Sequence, residues 1–267
     1  MVQYDQIGLT YNTYRNADPR VVSTLAGSLS LPRGSVIADI GAGTGNYANS
    51  FAELGYQIIA IEPSDEMRRQ AILTPGVSWL SGKAESMPLD NGAVDGVVVI
   101  LAVHHFDDLT AAGSEMQRIC PNGPIAILTL DPRRSVDYWF KIYFPEIYGR
   151  LFNTFPPLEQ LGSLLRFTSQ WSCKLTPFPL PRDLTDLNMH AGWARPEIYL
   201  SEDVRRGMSG FALADTDDVA ARIDRLKADL TSGAWDRRHG AIRTLQELDV
   251  GFAKVVFKRN SIAAIPK

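Results

Sequence analysis

The chain has 267 residues, 45% of them hydrophobic, and Lys+Arg 27 against Asp+Glu 30 leave a formal net charge of -3. At roughly 150 residues per domain the length holds about 1.8 domains, enough to bury a core without staples, which excludes the disordered and disulfide-framework classes. Non-specific nucleic-acid affinity needs a basic face, and this balance gives no sign of one, so no polynucleotide partner is expected.

Cys120 and Cys173 make no metal spacing, and His104, His105, His190 and His239 follow no zinc motif, so no metal is expected. The N-terminus lacks a basic stretch followed by an apolar one. The longest apolar run, Val97–Val103, is far short of the roughly 20 residues of a membrane helix. A cytoplasmic protein without a membrane partner, monomeric or homodimeric, is the expectation.

In chain order, Asp18 and Pro19 are suited to the start of a helix, and Val22, Leu25 and Leu29 share its face. Ser35–Ile40 reads as a buried strand, Gly41–Gly45 as a glycine-rich turn and Asn46–Leu54 as a helix. Gln57–Ile61, Val77–Leu80, Val94–Leu101 and Ile125–Leu130 read as further strands. A helix capped by Ser64 follows the second, and Leu109–Ile119 is helical. Short apolar strands alternating with helices predict an α/β chain with a Rossmann-like, mostly parallel sheet. Residues 171–180 and 249–258 look β-like. The expected organisation is an N-terminal helical cap over 1–34, a core over 35–181 with an aromatic helical segment at 132–168, a helical lid insertion over 182–248, and a last core strand within 249–267.

The strongest local signal is Val36-Ile-Ala-Asp39-Ile-Gly41-Ala-Gly43-Thr-Gly45. Glycines between a strand and a helix let the backbone turn sharply and let a ligand approach without a Cβ in the way. A dinucleotide fingerprint would place its third glycine where Asn46 stands. Asp39 puts an anion beside the loop, which suits a ligand with an amino group rather than a pyrophosphate. Glu62, ending the second strand, is placed to accept hydrogen bonds from both hydroxyls of a ribose. A nucleoside with a cationic amino-acid tail satisfies both, and S-adenosylmethionine has that shape.

Four blocks in this order, Ala38–Gly45, Ile61–Ser64, Gly82–Leu89 and Val94–Phe106, resemble the class I S-adenosylmethionine-dependent methyltransferases, in particular the small-molecule group near the ubiquinone/menaquinone biosynthesis enzymes (the type 11 methyltransferase domain). The resemblance covers about residues 4–131 well. It implies a seven-stranded sheet whose last strand is antiparallel, and a methyl transfer. It implies Asp39, Gly41 and Gly43 around the methionine part of the cofactor, Glu62 on the ribose, Ala84 and Glu85 beside adenine, and Leu101 near the sulfonium. Tyr11 and Arg15, four apart and thus on one helical face, are candidates for the cofactor carboxylate. The quinone enzymes' own segments after the third strand and near the C-terminus are not matched, so their substrate is not carried over.

His104 and His105 follow the fourth strand, where open α/β sheets place their ligands. A histidine there can take the proton of an O–H or N–H acceptor. Adjacent side chains of an extended segment point opposite ways, so the two cannot share one role; loop scaffolding is the alternative for both. No Asp/Asn-Pro-Pro-Tyr/Phe tetrapeptide is present, which disfavours DNA amino-methylation. Asp131-Pro132 reads as a helix cap followed by a first-turn proline. Trp139, Tyr143, Met189, His190 and Trp193 are candidates for lining the acceptor site, which would suit a flat or apolar metabolite. The rival functions are a nicotinamide-dependent reductase, against which Asn46 and Asp39 argue, and a cofactor-binding sensor without catalysis.

Overall fold

Runs of Val, Ile and Ala that are apolar at every position must bury both faces, and a central parallel sheet satisfies that. The computed structural model describes residues 14–260. In it β1 (Val36–Ile40), β2 (Gln57–Ile61), β3 (Val77–Leu80), β4 (Gly96–Ile100) and β5 (Ile125–Leu130) pair in parallel. β6 (Trp171–Pro177) and β9 (Phe252–Arg259) complete a seven-stranded sheet of order β3-β2-β1-β4-β5-β9-β6, with β9 antiparallel to both its neighbours. This is the α/β, Rossmann-like architecture expected from the sequence, including the antiparallel last strand.

Alternation along each strand splits the core into two layers. Ala38, Ile40, Val97, Val99, Ile125 and Ile127 pack on one face, beside Ala112, Met116 and Ile119. Those three come from α4 (Leu109–Ile119), whose N-terminus is closed by the Asp108 side chain accepting from the Thr110 and Ala111 N–H groups. On the other face Ile37, Val98, Ile100 and Leu128 pack with Val21, Val22, Leu25 and Leu29 of α1 (Pro19–Leu29) and with Phe51 of α2 (Asn46–Glu53). Asp18 caps α1 as expected, accepting from Arg20 N–H at 2.9 Å. A short α3 (Asp65–Arg69) is capped by Ser64.

A third, aromatic core lies over the carboxyl end of the sheet. α5 (Phe140–Tyr143), α6 (Pro145–Thr154) and α7 (Leu158–Leu164) follow β5; α8 (Glu202–Arg206), α9 (Ser209–Ala212), α10 (Thr216–Thr231) and α11 (Ala234–His239) follow later, within residues 182–248. β7 (Leu180–Pro181) pairs antiparallel with β8 (Glu247–Leu248), which brings the two ends of the intervening stretch together. Asp131 does act as a cap: it accepts from Arg133 N–H, and its second oxygen accepts from Leu158 N–H.

Trp139, Tyr143 and Trp193, expected at the acceptor site, sit inside this aromatic core, each at most 1% exposed. Trp139 meets Tyr199 and Trp235 edge-on, each with ring centroids at 5.6 Å, and donates its indole N–H to Trp193 C=O at 2.7 Å. Trp193 donates to Leu180 C=O, and the Tyr143 hydroxyl donates to Asp229. An aromatic stripe at helical spacing has joined helices to one another rather than lining a cavity. Trp139→Ala is therefore expected to lower unfolding stability by about 3–5 kcal/mol; denaturant unfolding that changes by less than about 1 kcal/mol would contradict the core assignment.

Candidate active site

The chain leaves β1 toward β2 on one side, whereas β4 and β5 lie on the other. Such a reversal opens a crevice beyond the carboxyl ends of β1 and β4. The register sets its floor. Asp39 pairs with Ala60 and Val98, and Ile40 with Ile61, so the first residues past each strand arrive side by side. Ile61 C=O accepts from both Gly41 N–H (2.8 Å) and Ala42 N–H (3.1 Å), folding the glycine loop back over β2. Gly41 has φ +74°, and a Cβ there would stand 2.6 Å from the Cβ of Ala102, so a side chain is excluded. Gly43, at φ +59°, has no atom within 4 Å of where its Cβ would be, so the loop borders open space.

Glu62 fastens this loop. It is 8% exposed, and its two oxygens accept from Gly43 N–H and Ser64 N–H, each at 2.9 Å. Each carboxylate oxygen keeps a second lone pair for a ligand. Asp39, 2% exposed, lies just below, and its Oδ2 has no hydrogen-bond partner among the described residues. Burial, with the nearby Glu62 charge second, pushes Asp39 up to about 7. Burial also raises Glu62. Two carboxyl groups held in this state suit a cationic ligand.

A cavity of about 690 Å³ occupies the crevice; Gly41, Gly43, Glu62, Ala84, Glu85 and Leu101 are among its lining residues. Ala84 is buried and Glu85 half-buried, with Glu85 Oε1 accepting from Asp108 N–H. Arg15 lines the same cavity, but not from a helix as expected: it forms an isolated β-bridge with Asp186. Its guanidinium pairs with the Asp186 carboxylate at 2.5 Å, and the Tyr47 hydroxyl donates to the other oxygen at 3.1 Å. Asp186 lies 171 positions from Arg15, so no local pattern could have announced it. Tyr47 directly follows the helix start and could have been flagged by position alone. Tyr11 lies outside the described residues.

A second cavity of about 370 Å³ shares Arg15, Leu101 and His105 with the first. Leu101 takes φ +53°, a left-handed conformation unusual for a bulky side chain, at the end of β4. His104, His105, Met189 and His190 all line this second cavity; Trp139, Tyr143 and Trp193 line neither. The histidine pair is not extended: Val103–His105 form a 3-10 turn that brings the two rings to 3.8 Å, and His104 stacks on Phe155 at 4.0 Å. The expectation of opposed side chains fails because the strand ends before them. Burial first, then the neighbouring His105 and Arg15, drive His104 well below the usual histidine range; partial burial of its ring, then Arg15, lowers His105, an otherwise exposed residue. Both rings are neutral at physiological pH.

Known proteins share this layout. A crystal structure from Anabaena variabilis, assigned as a methyltransferase from an antibiotic biosynthesis pathway, superposes with a TM-score of 0.89 at 43% identity over 92% of this chain and 99% of that one. The methyltransferase domain model matches residues 38–128. The chain belongs to the methyltransferase family. An uncharacterized methyltransferase of Mycobacterium bovis is 32% identical over 152 residues, 53% of this chain and 59% of that relative. The chain thus spans about three fifths of the length of the curated relatives first matched. Phosphoethanolamine N-methyltransferase 2 of Haemonchus contortus, in complex with S-adenosyl-L-methionine, has the same fold: TM-score 0.61 at 16% identity, over 97% of this chain and 57% of that one.

The raised Asp39 has a sign that can be measured. Its folded form holds a proton more tightly than the unfolded chain does, so its stabilising contribution is present below about pH 4 and is lost as pH rises through about 7. Without cofactor, Asp39→Asn is expected to unfold at a higher temperature than the parent at pH 8, with the difference closing toward pH 4. Identical melting temperatures at pH 8 would refute the buried charge.

Proposed function

We propose that this methyltransferase takes its methyl group from S-adenosylmethionine and delivers it to O, N or C of a small, apolar or aromatic metabolite. The observation that carries the reading is the meeting of two cavities at Leu101 and His105, one bordered by the glycine loop and acidic groups, the other largely apolar. The residues fit the donor on structural grounds: Asp39 Oδ2 is an orphaned buried acceptor, and Gly43 borders open space that a Cβ would enter. When bound, S-adenosylmethionine supplies an electrophilic methyl group on a sulfonium. Asp39, Gly41 and Gly43 would hold its amino-acid part, Glu62 the ribose, Ala84 and Glu85 the adenine, and Leu101 the region of the sulfonium. Arg15 and Tyr11 are carried as candidates for its carboxylate, although Arg15 is engaged by Asp186.

The chain's own contribution is to orient and to exclude water. Glu62 fixes the loop through Gly43 and Ser64, and the left-handed Leu101 stands where the cavities meet. Holding two reactants in line removes much of the entropic barrier to a displacement. His104 and His105, neutral at physiological pH, each present a base to an acceptor proton, and we assign that role to either. The region 182–248 is read as the lid over the second cavity. The similarity to the Anabaena variabilis protein supports a small-metabolite acceptor, and the Haemonchus contortus complex supports the donor.

Calorimetry with S-adenosylmethionine, S-adenosylhomocysteine and NADPH tests the assignment. The two sulfur ligands are expected to bind and NADPH not to; the reverse would make the chain a nicotinamide enzyme. Glu62→Ala is expected to weaken S-adenosylmethionine binding at least about tenfold through loss of charge-assisted hydrogen bonds. Removal of the base is expected to lower turnover about a hundredfold or more, and full turnover in both His104→Ala and His105→Ala would end the proton-transfer assignment.

A further inference from the structure

The second cavity contains a buried histidine that neither donor binding nor the proton-transfer assignment uses. His190 lines the cavity and is 1% exposed. Its Nδ1 lies 2.5 Å from the Tyr138 hydroxyl, and its Nε2 has no hydrogen-bond partner among the described residues. Tyr138 is itself 6% exposed, and its hydroxyl makes no other hydrogen bond among them. Because the buried Tyr138 O–H has no other acceptor among the described residues, it is assigned as the donor to Nδ1, an assignment that places the proton of the neutral imidazole on Nε2. The ring is also fixed by packing: Phe140 and Phe252 lie at 5.5 and 5.9 Å between centroids, and His190 N–H donates to Asn188 Oδ1. Nε2 is thus a buried polar atom without a partner among the described residues, on a residue that contributes to the cavity wall.

The charges around the cavity point the same way. No Asp or Glu occurs among its described lining residues; its charged members are Arg15 and Arg150. Arg150 is at the exposed edge, donating to Leu213 C=O at 2.5 Å. An ammonium group buried here would have no counter-ion, and an unpaired buried charge is strongly disfavoured. A neutral oxygen acid meets no such penalty.

We propose that His190, held by Tyr138, is a specificity-determining residue that donates its Nε2–H to an oxygen of the methyl acceptor, and that this acceptor is a phenol or enol rather than an amine. The proposal rests on the methyl-transfer reading of the same site.

The full chain, saturated with S-adenosylhomocysteine, is titrated calorimetrically with 2-naphthol and with 2-(aminomethyl)naphthalene, two probes of similar shape, one an oxygen acid and one a cation. The expected result is at least tenfold tighter binding of 2-naphthol. His190→Leu is expected to weaken 2-naphthol about tenfold and to leave S-adenosylhomocysteine affinity within about twofold. His190→Gln, which keeps an N–H donor, restores most of that loss. Tyr138→Phe, which leaves the ring but frees its tautomer, also weakens 2-naphthol and stands in for His190→Leu if that variant does not fold. Equal or tighter binding of the ammonium probe overturns the proposal, as does no binding of 2-naphthol, or unchanged binding in the folded variants. Failure of the parent to bind S-adenosylhomocysteine would instead overturn the methyl-transfer reading.

Discussion

A single buried carboxylate organises the mouth of this sheet. Glu62 is the first residue past β2, and by accepting from Gly43 N–H and Ser64 N–H it ties the loop after β1 to the start of α3. Without that acceptor, two backbone donors at the crevice would lose their partner, and the loop would have only the Ile61 carbonyl to return to. The position of Gly43, the space beside it and the setting of Asp39 all follow from this anchorage. Burial makes the clamp costly for the empty protein, because a second carboxyl group sits nearby with one oxygen unpartnered. A cationic ligand is what relieves that cost, which couples the loop's geometry to its chemistry.

The second organising element is the end of β4. The parallel strand terminates at Ile100, Leu101 turns into a left-handed conformation, and the 3-10 turn Val103–His105 carries the histidines toward the aromatic core. Leu101 and His105 border both cavities, and Arg15 joins them there while paired with Asp186. Segments from the beginning, middle and later part of the chain thus meet at one spot. A displacement reaction needs such a meeting, because donor and acceptor must be fixed relative to each other rather than each bound well alone.

Much of this was legible in the sequence where the signal is local. The strands Gln57–Ile61, Val77–Leu80 and Ile125–Leu130 and the helix Leu109–Ile119 fall where the apolar patterns put them, and Asp18, Ser64 and Asp131 act as the caps their types and positions imply. The glycine loop and Glu62 announce themselves because backbone geometry restricts which residues fit. Legibility fades where contacts are remote. Asp186 carries no local mark, and its partnership with Arg15 and Tyr47 arises only from folding. Trp139 and Trp193 look like pocket walls in one dimension, but in the folded chain Trp139 packs on Trp235 and Trp193 donates to the Leu180 carbonyl of β7. The histidine turn was misread for a simpler reason: an apolar run does not reveal the residue at which its extended backbone stops.

The β7–β8 clip gives the fold a further property. Leu180 pairs with Leu248 and Pro181 with Glu247, so the two ends of the intervening segment leave and rejoin the molecule side by side. Closing a flexible loop costs entropy that grows only slowly with its length. Between these points Trp193 and Trp235 pack into the aromatic core and Asp186 pairs with Arg15, so the stretch is fixed both at its ends and along its length. Asn188, Met189, His190 and Met208, which line the second cavity, all belong to that tethered stretch. Part of the second cavity's wall therefore comes from a stretch of chain remote in sequence from the glycine loop, so the two cavities draw on different parts of the sequence.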